Sequence, residues 1–291
     1  MQLFKIDKEW SAKNSDFPVI FLGDFHSGSP HCDYELLEAS INDIAQEQEA
    51  MVFLMGDLAE WITIKDKRFL PSQIDKKFWD KIEYLPMAYL DYLEELLFPI
   101  AHFIEVVHDG NHEHAMIPNM YPGMELCGRL RRRLADKFTP ELAQNKLRYA
   151  PGEAYTKIQF KTRTDSDYKT VMVNTAHGWQ AGRMPGGKHN SMFSMFEWIY
   201  ADVIMRGHSH ELFAEPGPVR EEPNPQMTKL VEIPTVCGHT GSFFKTRSIE
   251  EDTSNRPGYA EQRGYRPARR GYVRVDLKLS KKGISKSITT K

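Results

Sequence analysis

Residues 18–57 read PVIFLGDFHSGSPHCDYELLEASINDIAQEQEAMVFLMGD, and this stretch decides the fold. Pro18 to Leu22 is a short apolar, β-branched run that ends at Gly23-Asp24, as a buried strand does. Tyr34 to Glu49 carries Leu36, Leu37, Ala39, Ile41, Ile44 and Ala45 at helical spacing, with Asp33 placed to cap its start. Met51 to Met55 is a second apolar run and ends at Gly56-Asp57. Strand, helix and strand make a β-α-β unit, whose parallel strands deliver Asp24 and Asp57 to the same edge of a sheet.

The alternation continues on the carboxyl side. Residues 72 to 98 predict one or two helices, opened by Ser72 with Asp75 three positions on and broken near Pro86. Ala101 to Val107 predicts a strand that stops at His108-Asp109-Gly110-Asn111-His112, and residues 124 to 137 predict a helix with a basic face. Thr139-Pro140 caps another short helix. Lys169 to Thr175 reads as a strand ending at Ala176-His177, Asn190 to Tyr200 as a helix, and Asp202 to Met205 as a strand running into Arg206-Gly207-His208. Residues 228 to 236 and 271 to 279 are the remaining candidate strands. No repeat, low-complexity tract or linker divides the chain, which implies a single domain over residues 1–291.

Five short segments thus stand behind strands: GDFH at 23–26, GDLAE at 56–60, GNHEH at 110–114, HG at 177–178 and GHSH at 207–210. Side chains just past the carboxyl ends of strands lie where α/β sheets bind ligands. Glycine beside each donor permits unusual backbone angles and close approach of a metal or phosphate. Singly, each segment has a bland reading: Asp57 as a cap, His177 as a satisfied core histidine, GHSH as a solvent-facing loop. All five in order, each after a strand, make a two-metal site of N/O donors the first hypothesis.

Composition sets the frame for such a site. The 291 residues are 41% hydrophobic and 27% charged, with a formal net charge of −2, which gives no global footprint of nucleic-acid binding. Cys32, Cys127 and Cys237 are far apart and form no C-x-x-C pair, so neither a disulfide framework nor a thiolate zinc site is indicated. The first residues lack a signal-peptide core, and no stretch approaches the roughly 20 apolar residues of a membrane span. The expectation is a cytoplasmic protein.

In its five blocks the sequence resembles the calcineurin-like metallophosphoesterases, whose pattern runs D-x-H, GD-x-x-D/E, GNH-D/E, H and GH-x-H in that order. The longer spelling, including GSFF and GYAEQRGYRPARRG, is similar to a branch of that superfamily seen in phages and prophages. The resemblance implies an α/β fold: a four-layer αββα sandwich of two mixed sheets flanked by helices. It also implies one metal held by Asp24, His26, Asp57 and His210, and a second held by Asp57, Asn111, His177 and His208, with Asp57 as the bridge. His112 would face the substrate, and Glu113 stands where the family has an acidic residue that can orient that imidazole. Glu60, where many relatives have Asp or Asn, is no ligand in this scheme. The ligand set is compatible with manganese, iron, zinc, nickel or cobalt, with manganese expected to suffice.

The implied function is a two-metal phosphoesterase that hydrolyses a phosphate mono- or diester by attack of metal-activated hydroxide. A nuclease of the same chemistry is the alternative, favoured by the basic cluster Arg129, Arg131, Arg132 and Arg133 and by Arg263, Arg266, Arg269, Arg270 and Arg274 interleaved with Tyr265 and Tyr272. The third class is a non-catalytic binding module on the same fold, against which every inferred ligand is present. Residues 182–190, with Arg183 and Lys188, could cradle a phosphate or equally form a flexible surface loop, and His108 and His114 read as structural or exposed imidazoles.

Overall fold

The computed structural model describes residues 1–11, 14–64, 66, 69–115, 121–162, 168–178, 185–224, 227–246, 264 and 266–291. In chain order the elements are β1 (Gln2–Glu9), β2 (Asp16–Leu22), α1 (Tyr34–Ala45), β3 (Met51–Leu54), α2 (Leu85–Leu97), β4 (Ile104–His108), α3 (Asn111–His114), α4 (Pro122–Lys137), α5 (Pro140–Gln144) and β5 (Arg148–Ala150). There follow β6 (Ala154–Lys161), β7 (Lys169–Ala176), α6 (Pro185–Met195), β8 (Val203–Arg206), β9 (Leu212–Pro216), β10 (Arg220–Pro223), β11 (Leu230–Ile233), β12 (Val236–Thr240), β13 (Val273–Ser280) and β14 (Gly283–Thr290). Among the described residues no helix is long and apolar enough to cross a membrane.

Two six-stranded mixed sheets carry the chain, ordered β14-β13-β2-β3-β4-β5 and β1-β6-β7-β8-β12-β9, with β10 and β11 as a separate pair. The opening β-α-β unit forms as expected: β2 pairs parallel with β3, and Asp33 caps α1 by accepting from the Leu36 amide. Alternation along these strands explains the layering. Val19, Phe21, Met51 and Phe53 point into the core shared with the second sheet, where they meet Ile158, Phe160, Val173 and Val203, and Phe17 lies 5.0 Å from Phe160. Ile20, Leu22, Val52 and Leu54 point the other way, onto Leu37 and Ile41 of α1, Leu93 of α2 and Leu130 of α4. On the far side of the second sheet, Ile204 and Cys237 pack with Met192 of α6. The result is helices, sheet, sheet and helix, the four layers the sequence resemblance implies.

Several sequence expectations shift. The helix expected at 34–49 ends at Ala45. Residues 71–73 and 76–84 form 3-10 turns, with Asp75 rather than Ser72 as the cap, and the regular helix starts at Leu85 with Pro86 in its first turn. Pro99 similarly puts Phe98–Phe103 into a 3-10 helix, so β4 begins only at Ile104. The helix expected at 190–200 lies at Pro185–Met195, and the strand expected at 228–236 is split into β11 and β12. The five donor segments hang from both sheets: β2, β3 and β4 belong to one, β7 and β8 to the other.

Candidate metal centre

The carboxyl ends of these five strands meet where the two sheets abut. The first sheet brings Asp24, His26, Asp57 and Asn111, and the second brings His177, His208 and His210. In one group, Asp24, His26 and His210, and in another, Asp57, His177 and His208, the donor atoms lie within 4.8 Å of one another. His26 Nε2 is 2.9 Å from His210 Nε2, and Asp24 Oδ1 is 3.3 Å from the same His210 nitrogen. Asn111 Oδ1 is 2.7 Å from His208 Nδ1 and 3.1 Å from His177 Nε2. Asp57 Oδ2 lies between the groups, 3.2 Å from His177 Nε2 and 3.9 Å from His26 Nε2.

Each aspartate has one oxygen fixed by an amide of another motif. The His208 N–H donates to Asp24 Oδ2 at 3.1 Å, and the His112 N–H to Asp57 Oδ1 at 2.9 Å. The remaining oxygens face the imidazoles, and among the described residues buried Asp24 Oδ1 accepts no hydrogen bond, its nearest imidazole nitrogen being His210 Nε2 at 3.3 Å. A buried carboxylate oxygen left over in this way is costly unless a cation meets it. Convergent N/O donors and a carboxylate oxygen without a hydrogen bond fit divalent metal ions.

The backbone is bent to achieve this. Eight non-glycine residues among those described have positive φ, and five of them are Asp24 (51°), His26 (51°), Asp57 (49°), His208 (63°) and His210 (54°). Such angles are unfavourable for these residues and collect at functional sites. Glycine is required beside them at two places. A Cβ on Gly110 would stand 2.2 Å from Asp57 Oδ1, and one on Gly56 (φ 87°) would stand 2.5 Å from the Gly110 nitrogen.

Charges in the centre are strongly coupled. Burial alone would raise the Asp24 and Asp57 carboxyls, but the surrounding imidazoles outweigh it and hold both below the usual carboxylate range. Burial would likewise lower His26 and His177; the Glu60, Asp57 and Asp24 carboxylates instead lift His26 to about 9, and Asp57 and Asp24 lift His177 to about 10. His208 is lowered by burial and by His177, against the pull of Asp24 and Asp57.

The two glutamates near Asp57 differ from the sequence expectation. Glu113 does not meet the His112 ring. Its carboxylate, 3% exposed, accepts from the amides of Asp57, Leu58 and Gly110 and from Trp61 Nε1, at 2.7–3.0 Å. Burial and the Asp57 and Asp109 carboxylates push Glu113 up to about 7, against the pull of these donors. The carboxylate beside His112 is Glu60: His112 Nδ1 donates to the Glu60 carbonyl at 3.0 Å and lies 3.4 Å from its Oε2, while Glu60 Oε1 is 3.1 Å from His26 Nδ1. Burial would raise Glu60, but His112 and His26 hold it below its ordinary value.

Phe244 is a contributor that motif reading did not single out. Its ring lies 5.3 Å from that of His26 and 5.8 Å from that of His210, and the Phe243 N–H and the Ser242 hydroxyl both donate to the Asp24 carbonyl. The only sequence signal was the GSFF segment itself. Lys188 donates to the Ser209 carbonyl and to Glu211, bracing the turn between His208 and His210. Arg183, Arg263 and Tyr265 lie outside the described residues.

The basic helix α4 offers little free charge. Arg129 pairs with Asp91, Glu94 and Glu125, Arg133 with Glu94 and Glu95, and Arg131 donates to the carbonyls of Lys146 and Leu147. Arg270 pairs with Asp33 and Arg274 with Glu47 and Asp276, while Tyr272 is buried on Asp43. His108 is a buried structural imidazole between the Gly152 carbonyl and Thr175 Oγ1, and His114 is tied to the Pro151 carbonyl.

No protein family and no curated protein matches the sequence. Among solved structures, the chain is similar to a conserved uncharacterized protein of Streptococcus pneumoniae described as a predicted phosphoesterase, at 12% identity and a TM-score of 0.33, over 95% of this chain and 90% of that one. It is similar to a metallophosphoesterase of Sphaerobacter thermophilus at 9% identity and a TM-score of 0.34, over 94% and 88%. The NAD nucleotidase of Haemophilus influenzae aligns at 11% identity and a TM-score of 0.37, over 94% of this chain and 49% of that one. At such identities the chemistry has to be taken from the side chains themselves.

Proposed function

We propose that the chain is a two-metal phosphoesterase of the calcineurin-like superfamily, of the branch its longer spelling resembles, acting as a single domain on a phosphate mono- or diester. The observation that carries this reading is the pair of facing donor groups on left-handed backbone, with Asp57 Oδ2 between them. Asp24, His26, Asp57 and His210 would hold one ion, and Asp57, Asn111, His177 and His208 the other. When bound, two divalent ions would acidify a water molecule at neutral pH and offset the charge of the phosphoryl oxygens.

The chain's own residues supply the rest. Asp57 and Asp24 are kept ionised by the imidazoles around them, so both are ready to bind cations. His112 is anchored through Nδ1 on Glu60, which leaves Nε2 as the nitrogen that can meet a substrate oxygen or deliver a proton to the departing one. Glu60 fixes that ring and His26 together, so ligand and proton donor share one support. Glu113 holds the Gly56-to-Trp61 turn in shape around Asp57.

The test is elemental analysis of protein purified without chelator, followed by assay of the manganese-loaded protein. Substrates would be p-nitrophenyl phosphate, its bis ester, cyclic nucleotides and labelled single- and double-stranded DNA. Two equivalents of transition metal and ester hydrolysis are expected. Protein that binds no transition metal after supplementation would defeat the proposal, and strongly salt-dependent activity on DNA alone would replace it with a nuclease. Asp57→Asn should cost more activity than His26→Ala, because only Asp57 would serve both ions.

A further inference from the structure

A cavity of about 330 Å³ opens beside Asn111 and His177 and is lined by Asp109, His114, Glu153 and Arg206 among others. It sits at the small end of ligand pockets, about 300–1,000 Å³, which suits one sugar-sized or nucleoside-sized group. The lining residues do not include His112, Glu60 or His26, so the group that would protonate a leaving oxygen faces a different part of the centre. A substituent lying in this cavity is therefore not the one that departs. A monoester has a single substituent, which must leave; only a diester has a second one to seat here.

The walls indicate what that second substituent is. Arg206, 5% exposed, donates to the Met205 carbonyl at 2.9 Å and to Asn174 Oδ1 at 2.7 Å. Its guanidinium is 3.6 Å from Glu153 Oε1, itself held by Asn174 Nδ2 at 2.9 Å. Asn174 thus orders a cation and a carboxylate side by side on one wall. A hydroxyl can donate to the carboxylate and accept from the guanidinium, whereas a hydrocarbon satisfies neither and a second phosphate is opposed by Glu153.

Resting on the phosphoesterase reading above, we propose that this cavity seats the retained substituent of a phosphodiester and that this substituent carries hydroxyl groups, as a nucleoside or a glycerol does. In the reaction one water adds across one P–O bond: its oxygen goes to phosphorus and its proton to the departing alcohol. The second ester bond, to the group in the cavity, stays intact.

The experiment keeps the leaving group constant and varies the retained one, using the metal-loaded full chain. Its substrates are p-nitrophenyl phosphate and the methyl, glyceryl and thymidine 5′ diesters of p-nitrophenol. The glyceryl or thymidine ester is expected to exceed the methyl ester at least tenfold in kcat/KM, and whichever leads names the source of the hydroxyls. Gly152 lines the cavity, and a Cβ built on it meets nothing within 4 Å, so Gly152→Leu can fill the space. That variant should bring the ratio of hydroxylated to methyl diester close to one at unchanged metal content. Glu153→Gln, at a partly exposed side chain, should lower the same ratio and serves if Gly152→Leu does not fold. Equal rates for methyl and hydroxylated esters, or a ratio that survives both variants, would overturn the assignment while leaving the phosphoesterase reading intact. A metal-loaded protein that hydrolyses none of the esters would overturn both.

Discussion

Asp57 stands between two glutamates with opposite surroundings, Glu113 buried and Glu60 half-buried. Among the described residues Glu113 is met by N–H donors alone, three from the backbone and one from an indole, and so acts as a clasp for the turns that carry Asp57 and Asn111. Glu60 is met by two imidazoles, one a candidate ligand and one a candidate proton donor. The same side chain serves architecture in one place and chemistry in the other, and the difference lies in whether its neighbours can change their protonation.

The largest effect is expected on the architectural side. Glu113→Ala leaves four buried N–H groups without an acceptor and should cost about 4 kcal/mol of stability, read as a lowered denaturant midpoint with metal content reduced alongside. A preserved midpoint would show that the clasp is dispensable. His108 sharpens the comparison as a buried group held neutral: burial, opposed by its hydrogen bond to Gly152, pushes it down to about 4. As pH falls through about 6.5 the unfolded chain takes up a proton there that the folded chain refuses. Stability therefore declines between about pH 6.5 and 4, by up to about 3 kcal/mol from this residue, and is unaffected by it above that window. His108→Gln should flatten that limb of the stability profile relative to the parent; identical slopes would remove His108 from the account.

On the chemical side, His112→Ala should lower kcat about a hundredfold, equivalent to about 2.7 kcal/mol, with metal content unchanged. Loss of metal there would make His112 a ligand. Glu60→Gln keeps a hydrogen-bonding side chain of the same shape, so the smallest loss is expected, about tenfold in kcat with the unfolding midpoint preserved. A Glu60→Gln variant that unfolds as readily as Glu113→Ala would erase the contrast.

Much of this was legible in the letters, for physical reasons. β2 and β3 are buried on both faces and so spell uninterrupted apolar runs, and the glycines at 56 and 110 stand where a Cβ would strike its neighbour. β1, β6 and β14 escaped notice because each mixes covered or half-covered positions with more exposed ones, as in KIDKE or SKSIT, and reads as polar chain. That the donors come from two sheets is a matter of long-range pairing, such as β13 with β2, which local periodicity does not encode. The exchange of roles between Glu60 and Glu113 was hidden for a similar reason. Glu113 is adjacent to His112 in sequence, yet α3 turns its carboxylate toward the amides beneath, while Glu60 approaches from another strand end. The pairing of the α4 arginines was not legible, because composition displays cations without showing that Asp91, Glu94 and Glu95 lie on the neighbouring helix.

The oily filling between the sheets also works as a gauge block. Asp57 hangs from one sheet and His177 from the other, so the thickness of the layer that includes Phe17 and Phe160 fixes the span across which they confront each other. Shaving or padding that layer should therefore change this span without touching any candidate ligand.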